Sequence, residues 1–154
     1  MLEKLYGRPG FLLRRAHQIS VALFEHSCKE LSLTPAQFGV LYVVNRVSPI
    51  DQATLSRCLG FDKVTTLHVV RVLENRGLLS RSQSIKDARK LDIELTSDGQ
   101  AIFEKAMPLA VQAATQLLKP LTPDQQEVFL ELLGVICSDL EGFARAPLDR
   151  RVMS

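Results

Sequence analysis

The order of local signals between residues 51 and 96 constrains this chain most. Asp51 can cap a short helix over 52–59, with Leu55, Cys58 and Leu59 facing inward. Gly60 falls where a helix ends in the left-handed conformation. Asp62 then caps a second helix running to about Asn75, and Gly77 stops it. Two short helices joined by a three-residue turn containing glycine form a helix-turn-helix pattern, which many helical hairpins share. The next residues narrow the choice. Leu79, Arg81 and Gln83 lie along one strand, and Leu91, Ile93 and Leu95 alternate with Asp92 and Glu94 in another. The polar turn over 84–90 joins them. A hairpin with a basic tip placed directly behind such a helix pair reads as a wing.

Longer helical signals flank this block. Over 11–31, Leu12, Ala16, Ile19 and Leu23 form a stripe that Phe24, Cys28 and Leu31 widen, enough for more than one neighbour. Thr34, Pro35 and Gln37 open the next helix as a capping box with proline at its first position. Phe38, Val40, Leu41, Val43, Val44 and Val47 make that helix mostly buried, and 48–51 breaks it. Thr96 caps a helix over 97–118, which Pro108 is expected to kink or break. The Thr122–Gln125 box starts the last helix, striped by Val128, Phe129, Leu132, Leu133, Ile136, Leu140 and Phe143. From Ala144 the tail is expected to fray. The fold class is mainly α with a small β-hairpin wing, in one domain over 1–154.

Charge marks one side of this arrangement. The net charge is +2, yet residues 57–90 carry eight Lys and Arg against three Asp and Glu. A basic segment in a near-neutral protein is the footprint expected for phosphate contact. On the 63–75 helix, Thr66, Val69, Val70 and Leu73 share the side that packs inward. Val64, His68, Arg71 and Asn75 face away, with Leu67 on the flank and Lys63 and Thr65 at the helix start, where phosphate is favoured. Solvent exposure alone explains Arg71 and Asn75 but not Val64 and Leu67. An α-helix fits the major groove of double-stranded DNA. Arg71 could fork to guanine there, His68 and Asn75 could bond base edges, and Val64 or Leu67 could meet a thymine methyl.

Asp62-Lys63-Val64-Thr65-Thr66, followed by the 73–81 stretch, resembles the recognition helix and first wing strand of MarR-type regulators. Asp87-Ala88-Arg89 is similar to the D-x-R of that family's wing tip, Leu95–Gly99 to its L-T-x-x-G, and Leu33–Phe38 to the opening of its second helix. These stand in register from about residue 8 to 143. The resemblance implies a winged helix-turn-helix lobe over 33–96, N- and C-terminal dimerisation helices over 8–32 and 97–143, and a tail over 144–154. It implies a homodimeric repressor that reads a pseudo-palindromic operator and is released by a small effector, an aromatic carboxylate or related ligand. Arg81, Lys86, Asp87, Arg89 and Lys90 join the DNA contacts in that picture, Arg89 entering the minor groove with Asp87 orienting it. His68 departs from the family, where many members carry Arg, so base preference does not transfer. The segment 11–18 is similar to members associated with aromatic-compound catabolism.

The resemblance puts the effector between the dimer helices and the lobe, where Arg14, His17, Phe38 and Tyr42 are candidates. Arg14 could pair with a carboxylate and His17 with a ring substituent. Equally, Arg14 and Arg15 could make interchain ion pairs and His17 could be an ordinary helix residue. A thiol-based redox regulator of the same fold is a weaker alternative. Cys28 lies near the end of its helix, whereas oxidant-sensing members use a cysteine near the start. A protein-binding helical adaptor would leave the basic wing without a purpose. Cys28, Cys58 and Cys137 have no C-x-x-C spacing, and the three histidines lack partners at metal-ligand spacing. No nucleophile elbow, P-loop or dinucleotide fingerprint occurs, so neither enzyme activity, cofactor nor metal is expected. The start of the chain lacks a secretory pattern and no apolar run approaches a bilayer span, so a cytoplasmic location without membrane is expected.

Overall fold

Cap chemistry sets where the helices begin. The computed structural model describes residues 2–153; Met1 of the N-terminal segment and Ser154 of the tail lie outside them. The elements are α1 (Glu3–Tyr6), α2 (Pro9–Ser27), a 3-10 turn (Lys29–Leu31), α3 (Pro35–Arg46), β1 (Ile50–Asp51), α4 (Gln52–Leu59) and α5 (Lys63–Asn75). After them come β2 (Leu79–Gln83), β3 (Leu91–Leu95), α6 (Ser97–Leu118), α7 (Pro123–Asp139) and 3-10 turns at Glu141–Phe143 and Arg150–Met153. Thr34 accepts from Gln37 N–H at 3.2 Å while its own N–H donates to Gln37 Oε1. Thr122 and Gln125 repeat this box at α7. Asp51 takes the amides of Ala53 and Thr54, and Asp62 that of Thr65 at 2.7 Å. Gly60 and Gly77 hold φ of 63° and 72°, left-handed backbone that stops α4 and α5.

One core unites the lobe. Val40, Leu41 and Val44 of α3, Leu55 of α4, Val70 and Leu73 of α5 and Ile93 of β3 are fully buried. The sheet is antiparallel in the order β1-β3-β2, with Ile50 opposite Ile93 and Leu79 opposite Leu95. Helix α6 starts against this core through a close contact. A Cβ on Gly99 would lie 2.0 Å from the Leu78 carbonyl oxygen, so only glycine fits. Thr96 Oγ1 donates to Gly77 O at 2.6 Å and accepts from Gly99 N–H, locking the end of the wing to the end of α5. These contacts give the L-T-x-x-G run its physical content.

Four features differ from the sequence reading. β1 is a third strand of two residues, too short to display alternation. α1 is a single turn ahead of α2. Pro108 does not break α6, which continues to Leu118. Pro108 and Glu104, one turn back, are both exposed, so the carbonyl left without an amide partner has access to water. The tail does not fray. Leu148 sits over Gly60 at 3.7 Å, and Asp149 N–H donates to Arg57 O at 2.8 Å, satisfying a carbonyl in the last turn of α4. Glu141 Oε1 accepts from Leu148 N–H at 3.1 Å, and Asp149 pairs with Arg151.

Burial is uneven across the long helices. Cys28 is fully buried, and Phe24 and Leu31 pack against the core, but Leu12, Leu13 and Ile19 of α2 are 45–54% exposed. No residue of α7 is buried; Val128, Leu132, Ile136 and Phe143 stand in solvent. The apolar stripes of the two helices thus face away from their own chain.

Candidate nucleic-acid interface

Helix α5 divides as its periodicity predicts. Thr66, Val69, Val70 and Leu73 are buried; His68, Arg71 and Asn75 are exposed, Leu67 is half-buried, and Val64 is 78% exposed. Lys63 and Thr65 are exposed at its start. The crossing of α4 and α5 is set by a buried pair: Ser56 Oγ lies 2.8 Å from Thr66 Oγ1, whose hydroxyl donates to Asp62 O. The amide and hydroxyl of Thr65 both donate to Asp62, which holds its carboxyl below the usual carboxylate range. The helix start therefore keeps a fixed negative cap while Lys63 beside it stays available.

The wing tip is built around Asp87. The Arg89 guanidinium donates to both carboxylate oxygens at 3.1 and 3.2 Å, and Arg89 N–H donates to Oδ1. These bonds hold the Asp87 carboxyl below its ordinary range. The Arg89 side chain remains 90% exposed, a planar fork aimed outward by its own neighbour. Gln83 Nε2 donates to Ala88 O across the hairpin, and Lys90 reaches Asp51 at 3.4 Å, bracing the wing on the α4 cap. Burial works against the ionised form of Asp51, but the Thr54 bonds and the Lys90 charge prevail and lower its pKa. Lys86 is exposed and unattached among the described residues.

Arg81 takes another place. Its side chain is 21% exposed and pairs with Glu74, tying β2 to the last turn of α5. Two residues of the neighbourhood carry no sequence signal. Arg76 donates to Leu31 O and Ser32 O at 2.8 Å each, joining the end of α5 to the turn after α2 across more than forty residues. No local pattern reveals that pairing. Ile85 is fully exposed at the wing tip, where its exposure could have been read from the polar turn around it.

The four effector candidates are placed in two settings. Arg14 and His17 are exposed on α2, with the Arg14 guanidinium 5.1 Å from the centre of the Phe11 ring. Phe38 and Tyr42 belong to a ring cluster with Phe24 and Phe103, at centroid distances of 5.4–6.1 Å. Burial pushes the Cys28 and Cys58 thiols up, away from the thiolate that redox sensing requires.

Comparison with known proteins agrees with this geometry. The MarR family pattern matches residues 31–90. The HTH-type transcriptional repressor NicR of Pseudomonas putida is 32% identical over 124 residues, 80% of this chain and 78% of that protein. A probable transcriptional regulator from Pseudomonas aeruginosa superposes with a TM-score of 0.83 at 34% identity, covering 86% of this chain and 98% of its own. BpsR of Bordetella bronchiseptica, solved in work on regulation of its DNA binding by 6-hydroxynicotinic acid, gives 0.80 at 31% identity over 85% of this chain and 94% of its own. Identity at this level across most of both chains settles the kinship. The chain belongs to the MarR family of winged helix-turn-helix transcriptional regulators, proteins that act by binding DNA and are not enzymes.

Proposed function

We propose that this regulator is a homodimeric repressor, that α5 enters the major groove of a pseudo-palindromic operator, and that Arg89 enters the flanking minor groove. One observation carries the reading above all: Arg89 is held by Asp87 in a fixed fork, yet 90% of its side chain is free to meet another molecule. A narrow minor groove concentrates negative potential and attracts an inserted arginine. On α5, Arg71, His68 and Asn75 read base edges, Val64 and Leu67 meet thymine methyls, and Lys63 and Thr65 anchor phosphate. Lys86 and Lys90 add charge along the wing, while Arg81, through Glu74, fixes the strand to the recognition helix.

The lobe over 33–96 is the reading head; segments 8–32 and 97–143 are the dimer joint. The exposed apolar stripes of α2 and α7 support this, because a protomer alone leaves Phe129, Leu132 and Ile136 in water. The effector is a small aromatic carboxylate bound between joint and lobe, with Arg14 pairing its carboxylate, His17 its ring substituent, and Phe38 and Tyr42 its ring. The BpsR ligand supports that class. The protein acts in the cytoplasm; no helix among the described residues is long and apolar enough to cross a membrane. Selection of binding sites from random duplexes, followed by titration of the selected operator with 6-hydroxynicotinic acid and related acids, tests the reading. A selected palindrome with A·T-rich flanks and ligand-induced release are the expected results; recovery of no preferred sequence would overturn it.

A further inference from the structure

We propose that the C-terminal strap, residues 144–153, is part of the DNA-binding surface, and that Arg145 binds a backbone phosphate beside Lys63. This rests on the DNA-binding reading above and extends it to a segment outside the helix-turn-helix. The strap crosses the outer side of α4, held by Leu148 over Gly60 and by the Asp149 amide on Arg57 O. That docking places Arg145, Ala146 and Pro147 against Phe61, Asp62 and Lys63 at the start of α5, around a cleft of about 340 Å³.

The charges at this cleft point outward. Arg145 is exposed and makes neither a hydrogen bond nor an ion pair among the described residues, and Lys63 likewise. Asp62, the acid beside them, is engaged by Thr65. Arg57 contributes a third cation, steadied by a 3.2 Å bond to Thr54 Oγ1. In a helix-turn-helix docked on a duplex, the first helix crosses the backbone while the second enters the groove. The outer side of α4 and the first turn of α5 therefore meet the same phosphates, and the strap lies between them. An arginine fork complements a phosphate in both charge and shape. The strap also hangs from the end of α7, so the phosphate contact sits on a segment continuous with the dimer joint.

The test uses the full-length protein and a short fluorescein-labelled duplex of arbitrary sequence, titrated over a range of salt. Arg145→Gln should weaken binding about three- to tenfold at low salt and flatten the log–log salt slope by about 0.9, the change for one phosphate contact. Leu148→Asp, which undocks the strap, should give the same loss, and adding Arg145→Gln to it should change nothing further. If wild-type protein binds with a steep salt slope and Arg145→Gln retains that slope, the strap inference alone fails. If wild-type protein shows no salt-dependent binding, the DNA-binding reading fails with it. Additive losses in the double variant would show that Arg145 acts without the strap and would overturn its positioning role.

Discussion

Arg89 and Gly99 show how single residues carry opposite duties in this fold. Arg89 is nearly free of its own protein, bonded only to Asp87 two residues away, so removing it should leave the core untouched. Arg89→Ala is expected to lose most operator binding while the dimer and its melting temperature stay within error of wild type. Titration of the two proteins against the selected operator, beside a thermal melt, checks this; a large fall in melting temperature would mean that the arginine is structural. Gly99 is the reverse case. Its missing Cβ lets α6 start against the Leu78 carbonyl, and neither backbone segment can retreat without opening the Thr96 lock. Gly99→Ala should destabilise the lobe by about 3 kcal/mol or more, the upper part of the overpacking range. Denaturant titration giving a loss below about 1 kcal/mol would show that the junction can relax. Both residues stand in short motifs that the sequence displays, but only the coordinates reveal that one is free and the other enclosed.

At the scale of elements, α5 separates base reading from anchoring. Arg71→Ala should cost roughly 1–3 kcal/mol on the operator and relax preference at one base pair, as for a bidentate base contact. Lys63→Ala should weaken operator and random duplex alike and flatten the salt slope. Equal, sequence-independent losses in both would reduce Arg71 to a phosphate contact. The caps of α4 and α5 add a pH signature. The folded pKa values of Asp51 and Asp62 lie below their ordinary value of about 3.9, so their stabilisation is complete above that pH and is lost as pH falls through the folded values. Asp62→Asn, which keeps a capping oxygen without the titrating proton, should flatten the acid limb of the stability curve; an unchanged limb would assign it to other carboxylates. Helix starts were legible because Thr34, Asp51, Asp62, Thr96 and Thr122 announce themselves by local chemistry. Interior faces of α3 and α5 were legible because burial repeats along a helix. The strap, β1 and the Arg76 link were not, since each depends on a partner distant in sequence. Leu148 finds Gly60, Ile50 finds Ile93, and Arg76 finds Leu31 only after the chain has folded.

For the whole molecule, the dimer joint and the reading head must be coupled if a ligand at one is to act at the other. The apolar faces of α2 and α7 predict a dimer that persists at micromolar concentration in sedimentation; a monomer there would remove the basis for operator symmetry. Two lobes can engage successive major grooves only when their α5 helices stand about 34–36 Å apart. Within each protomer, two links run from the long helices to the lobe. Arg76 joins the end of α5 to the turn after α2, and the strap joins the end of α7 to α4. A ligand wedged where α2 meets α3 can therefore shift the lobes without touching DNA, by favouring a dimer with the wrong spacing. Thermodynamic linkage then fixes a reciprocal result: saturating operator must weaken ligand binding by the factor by which ligand weakens operator binding. Titrating an effective aromatic acid into the dimer with and without saturating operator measures both factors. Equal factors above about fivefold, the lower end of typical coupling, are expected; ligand affinity that ignores operator would show that the acid does not act through lobe spacing.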